Sequence, residues 1–299
     1  MGHTIRAISH WLICAILLSA RLGSNYKPAN PFATCMAAKN VPISMPTPPT
    51  TMREPMIRFV ELEHTNWNGY TLIEGFPGMG LAGTIAGKYL VENVKFREIG
   101  HLHSDLFMPI IRIHEGIPVF PSRIYVNDQL KIVVLISEQV IPRPYIPRVS
   151  QLVTQWILQN GISRVISLAG IQTGNKNDMK VYAIAANPES KPMLKDLDVE
   201  LIEDGITTGI TALILLHLRD SGVRAFSLLG NVNFGADYKA AAELIKRLNK
   251  LLKLNLKVEP LYEQAKKTEK EIIEQLKQVQ QTQESEDKLD EKRGPQYYA

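Results

Sequence analysis

The most constraining stretch of this chain is Ile132-Val133-Val134-Leu135-Ile136, which has no polar residue at alternate positions, so both faces of the strand it forms must be covered. A one-sided sheet is excluded there. Around this run, placed at 130–137, further β-type runs occur at 57–63, 70–74, 94–99, 109–114, 122–126, 164–170, 180–186 and 224–230. Helical spacing marks 81–93, 148–160, 206–219 and 237–252. Strands interleaved with helices of this length predict a mixed or largely parallel sheet sandwiched by helices, a single three-layer α/β domain over 52–258. The runs at 57–63 and 70–74, separated by Asn66, Asn68 and Gly69, read as two strands joined by a turn.

The flanks differ from this body. Residues 1–51 contain Arg6, Arg21, Lys27 and Lys39, no acid, and both cysteines, Cys14 and Cys35. They are expected to be a leader or an over-extended start, lying outside the fold. The apolar run Trp11–Ala20 is about half the length a spanning helix needs, so no membrane partner is expected. From Met52 onward 30 Lys and Arg face 30 Asp and Glu. A neutral body lacks the basic surplus of a general nucleic-acid binder, and the absence of cysteine from it fits a cytoplasmic chain. Leu261, Ala265, Thr268, Ile272, Leu276 and Val279 recur at three-to-four spacing, which predicts an amphipathic helix over 259–280 that needs a surface to cover. Residues 281–296 are almost wholly polar, so 281–299 is expected to be a flexible tail.

That tail ends in Tyr297, Tyr298 and Ala299. A terminal carboxylate next to aromatic rings is a docking plug for a groove with a cation and backbone donors; the competing reading is an accidental ending. A tether of this length spans roughly 20 to 25 Å, enough to reach a groove on a large partner. Inside the body, Glu74-Gly75-Phe76-Pro77-Gly78-Met79-Gly80-Leu81-Ala82-Gly83 lies between a strand and a helix. Gly78, Gly80 and Gly83 satisfy the dinucleotide spacing, with Glu98 at the offset of a ribose-binding acid. The alternative is a tight strand-to-helix turn that packs closely through Gly83 and Gly87. A P-loop is excluded because Ala82 and Tyr89 stand where glycine and Ser or Thr are required. Glycine-rich turns at 170–174 and 230–235 follow two more strands and would line a crevice at the strand ends. Ser137-Glu138 could face that crevice but lack a base and an orienting group. His101 and His103 share one strand face without a third ligand, which makes them surface or cross-strand residues. No nucleophile elbow, zinc-protease motif or Cys/His cluster occurs in the sequence.

The Glu74–Gly83 turn, the strand ending in Ser137-Glu138, the segment GITTGITALILL at 205–216, the turn at 228–230 and the hydrophobic-Tyr-any ending together resemble the proteasome assembly chaperone family, in particular its archaeal members. The resemblance covers about residues 57–280 and the last three. It implies a phosphorylase-like fold and a noncatalytic homo-oligomer without cofactor or metal. It also implies that such an oligomer engages the α-subunits of the proteasome core particle, in assembly or in gate opening, without ATP. Tyr297 and Tyr298 would fill an intersubunit groove, and the Ala299 carboxylate would meet a lysine of the partner. The rival to this function is a nucleotide- or nucleoside-binding enzyme of the same architecture, using the Gly78–Gly83 turn.

Overall fold

The apolar run forms a central strand with all six of its residues buried. The computed structural model describes residues 56–268, apart from 64–65, 108, 175–177 and 234. In chain order the strands are β1 (Ile57–Glu61), β2 (Thr71–Gly75), β3 (Arg97–Ser104), β4 (Arg112–His114), β5 (Ile117–Val119), β6 (Ser122–Asn127), β7 (Ile132–Ser137), β8 (Arg164–Ile171), β9 (Val181–Ala185), β10 (Glu200–Leu201) and β11 (Arg224–Asn231). The helices are α1 (Ala82–Asn93), α2 (Ile146–Gln159), α3 (Ile210–Leu218), α4 (Tyr238–Leu252) and α5, at 259–268.

Nine strands make one mixed sheet in the order β1-β3-β6-β7-β2-β8-β11-β9-β10. The four at its centre, β7, β2, β8 and β11, are parallel. Side chains alternate across it as the two-residue period requires. Ile73, Val134, Ile166 and Phe226 face α1 and α4, whereas Leu72, Val133, Leu135 and Val165 face α2 and α3. Each fully buried side chain of this kind contributes about 1.5 to 3 kcal/mol. The three-layer α/β expectation holds for this region, with a large mixed sheet flanked by helices.

Three local expectations need correction. The run expected at 94–99 becomes strand only from Arg97 and continues to Ser104, because Val94 still caps the preceding helix. The strands at 57–61 and 71–75 are not neighbours: β1 is an edge strand on β3, while β2 lies between β7 and β8. Their connection is anchored by Trp67, 1% exposed and edge-on to Tyr70. Burial sorts the pair, since all of β2 is buried and β1 only partly so. The helix expected from 206 begins at Ile210, because Gly209 holds φ 98° and ψ −171°, outside the helical region.

Helix α4 starts where Asp237 accepts a hydrogen bond from Ala240 N at 2.9 Å, a side-chain cap, and ends at Lys253 in the left-handed region. The amphipathic segment expected from 259 begins as α5, which seats Leu261 and Ala265 in buried positions. Tyr262 Oη donates to Glu243 at 2.5 Å and Tyr89 Oη to the Lys257 carbonyl at 2.7 Å. Burial pushes the Glu243 carboxyl up, but hydrogen bonds from Lys246 and Tyr262 and the charges of Lys246 and Arg247 outweigh it and hold the carboxyl below its ordinary value. Residues 269–280 of that segment lie outside the described residues.

Candidate functional site

The glycine turn is closed by the protein itself. A Cβ on Gly83 would lie 1.9 Å from the Leu168 carbonyl oxygen, and one on Gly170 would lie 2.2 Å from that of Met79. Helix α1 can therefore begin directly against the backbone of β8. Gly80, at φ 61°, carries the sharpest bend, and a Cβ there would meet Val232 at 2.7 Å. Gly87, named with Gly83 for close packing, has room: its Cβ would stand 3.4 Å from Ile136. The space a pyrophosphate would need beside the turn holds β8 and Val232. Glu98 removes the other half of the dinucleotide reading. It lies on β3, separated from β2 by β6 and β7, about 14 Å across the sheet, and its partner is Arg123 at 4.0 Å.

Sequence reasoning missed the most perturbed group near this turn. Glu74, the fourth residue of β2, is fully buried on the α2 and α3 face. Its Oε1 accepts a hydrogen bond from Thr211 Oγ1 at 3.0 Å, which ties the end of β2 to the first turn of α3. Its Oε2 and the hydroxyl of Ser167, level with it on β8, make no well-aligned hydrogen bond. Burial pushes the Glu74 carboxyl up to about 7, with nearby Ser167, Thr211 and the Phe76 amide pulling the other way. The available signal is a carboxylate inside an otherwise apolar strand. A protonated or ionised acid without a second titratable partner can fasten two elements but offers no acid–base pair.

At the end of β7, Ser137 is buried rather than facing a crevice. Its hydroxyl lies 2.8 Å from Ser122 Oγ and donates to the Gln139 carbonyl at 2.7 Å. Glu138 gathers three cations: Arg112 in direct contact, Arg123 at 3.2 Å and Lys88 at 3.6 Å. The carboxylate is neutralised and its neighbours are held in place. Beneath Arg123, burial raises the Tyr125 phenol to about 12. His101 and His103 share the face expected, but His101 is buried with its ring stacked on Phe120 at 3.5 Å, and burial lowers its pKa. Among the described residues no group of three metal-ligating side chains occurs, and no helix is long and apolar enough to cross a membrane.

At the end of β11, Asn231 accepts from Thr173 N and Oγ1 and donates to the Asp178 carbonyl at 2.7 Å, fastening the loop after β8. The cleft beside it, between Asp178, Asp237, Lys239 and Glu243, has a volume of about 150 Å³. That is below the roughly 300 Å³ of a small-molecule site, and charged groups line it where apolar ones are expected. A wider depression of about 540 Å³ adjoins it, but Asp178, Lys180, Asp198, Glu200 and Arg247 line that one too. The strand ends at the glycine turn are filled, and several exposed side chains near them are apolar. Met79, Val140, Ile111, Ile113 and Ile117 are all more than half exposed. Tyr297, Tyr298 and Ala299 lie outside the described residues.

Exposed apolar side chains of this kind suit contact with another protein. A solved structure of Pyrococcus furiosus PbaA, an archaeal homologue of proteasome-assembly chaperone, is 29% identical and superposes with a TM-score of 0.65 over 76% of this chain and 100% of that one. The structure of Pyrococcus furiosus PbaB, an archaeal proteasome activator, is 24% identical and shares the fold, with a TM-score of 0.63 over 74% of this chain and 98% of the other. An uncharacterised protein of Methanocaldococcus jannaschii is 30% identical over 223 residues, 73% of this chain and 92% of the relative. A profile of the PAC2 family matches residues 72–276, so the resemblance to the proteasome assembly chaperones holds and the chain belongs to the PAC2 family.

Proposed function

We propose that this chain is a noncatalytic, cytoplasmic, homo-oligomeric chaperone or ATP-independent activator that docks Tyr297, Tyr298 and Ala299 on the α-subunits of the proteasome core particle. The observation that carries the assignment is the match to PbaA over the whole of that chain, within a shared family. The closed glycine turn supports a role without nucleotide, because the backbone of β8 stands where a phosphate would approach. The body then acts as a carrier. A three-residue contact is weak alone, and several tethered copies on one oligomer raise avidity by about 10² to 10⁴ when they engage together.

The test is co-purification with core particles using intact protein, a variant lacking Tyr297–Ala299, and one with an extra residue after Ala299. Loss of binding in both variants, with unchanged circular dichroism, is the expected result. Undiminished binding by the capped variant would overturn the docking reading, since the terminal charge and its distance from the rings would then be irrelevant.

A further inference from the structure

The parallel strands β2, β8 and β11 begin level with one another: Thr71 pairs with Arg164, and Arg164 with Arg224. These three residues share a face, because Ile73, Ile166 and Phe226, two positions on in each strand, all pack toward α1 and α4. Neighbouring strands lie about 4.8 Å apart, so the two arginines stand side by side with like charges. Arg224 is exposed, whereas Arg164 is partly buried and its Nε is shut off from solvent without a hydrogen-bond partner. Among the described residues neither side chain forms a hydrogen bond or an ion pair. Every other partly buried arginine described holds a carboxylate: Arg112 and Arg123 lie on Glu138, and Arg247 on Glu243. Arg164 is the exception.

Burial, and then the charge of Arg224, both lower the Arg164 pKa, and no acid opposes them. A shielded cation beside a second cation is an unmet demand for an anion. A monoanion would leave one of the two charges over, whereas a dianion neutralises both. The forked donors of a guanidinium also match pairs of phosphate oxygens. Thr71, on the other side of Arg164, adds a hydroxyl on the same face. We propose that Arg164 and Arg224, with the hydroxyl of Thr71, form a binding site for a phosphate-type dianion at the base of the sheet. The site lies at the opposite end of β8 from the closed glycine turn, about 20 Å along the strand from Gly170, so it is separate from any dinucleotide site there.

The ligand chemistry is a phosphate group, free or carried on a larger molecule, and the probes are inorganic phosphate and O-phosphoserine. Calorimetric titration and thermal unfolding of the full chain, in a phosphate-free buffer with ionic strength held by chloride, read the binding. The expected result for the parent is saturable phosphate binding and a Tm raised above that in chloride. Binding should weaken by at least about tenfold in Arg164→Met and in Arg224→Met. It should be unchanged in Arg219→Met, because that arginine already pairs with Asp220 at 3.1 Å. Tighter binding of O-phosphoserine would name a phosphorylated side chain as the source and tighter binding of inorganic phosphate the free ion; either upholds the site. A parent that responds to phosphate no more than to chloride would overturn it. So would phosphate binding that survives undiminished in Arg224→Met, a change at an exposed position that leaves the core intact.

Discussion

Replacing Glu74 by glutamine tests the link from burial to stability. The carboxyl titrates near 7 in the fold against an ordinary value of 4.5, so between those pH values the folded chain holds a proton that the unfolded chain has lost. Stability from this group is complete below pH 4.5, falls as pH rises through the window, and is gone above 7. The shift corresponds to about 3 kcal/mol, an order-of-magnitude figure for a fully buried group whose neighbours supply hydroxyls and an amide rather than charges. Glutamine keeps an acceptor for Thr211 and offers its amide hydrogens to the Ser167 hydroxyl beside it. Urea unfolding of parent and Glu74→Gln at pH 5 and pH 8 is the assay, with common titrations cancelling in the difference. The stability of Glu74→Gln relative to the parent should rise by about 2 to 3 kcal/mol from pH 5 to pH 8, part of the window lying below pH 5, or roughly 5 to 10 °C in Tm. Parallel pH profiles would refute the reasoning, because they would mean that Glu74 ionises equally well in both states.

Gly83→Ala should destabilise the chain by about 3 kcal/mol or more, since its Cβ has no space against Leu168, whereas Gly87→Ala should be neutral or slightly stabilising; paired urea midpoints check both. Asp237→Ala removes a carboxylate that accepts from Ala240 N and from Asn233 N, both at 2.9 Å, and should lower stability by about 1 to 2 kcal/mol in the same assay.

Much of the fold is legible in the sequence because it rests on local periodicity. The unbroken apolar run in β7 requires two covered faces, and helices α1, α2 and α4 begin within two residues of the starts that their spacing predicts. The delayed start of α3 is harder to see, since a glycine's backbone angles are set by the path the chain must take into Glu74 and the sheet. The segment 109–114 reads as one strand, but its strand part covers only 112–114 and pairs with β5 outside the main sheet. The candidate site is less legible. A glycine spacing that serves a pyrophosphate equally serves two backbones in contact, and only the carbonyl of Leu168 beside Gly83 decides between them.

The amino-acid sequence by itself determined the family resemblance and most of the strands and helices, all but the short β5 and β10, because alternation, turn residues and motif spacing are properties of neighbours along the chain. Tertiary structure alone decided that β1 and β2 part company, that the glycine turn is shut, and that Glu74 loses its ordinary acidity. Those outcomes depend on residues far apart in the chain, as Glu74 and Thr211 are at a separation of 137 positions, and no local pattern encodes which distant group will remove water from a carboxylate.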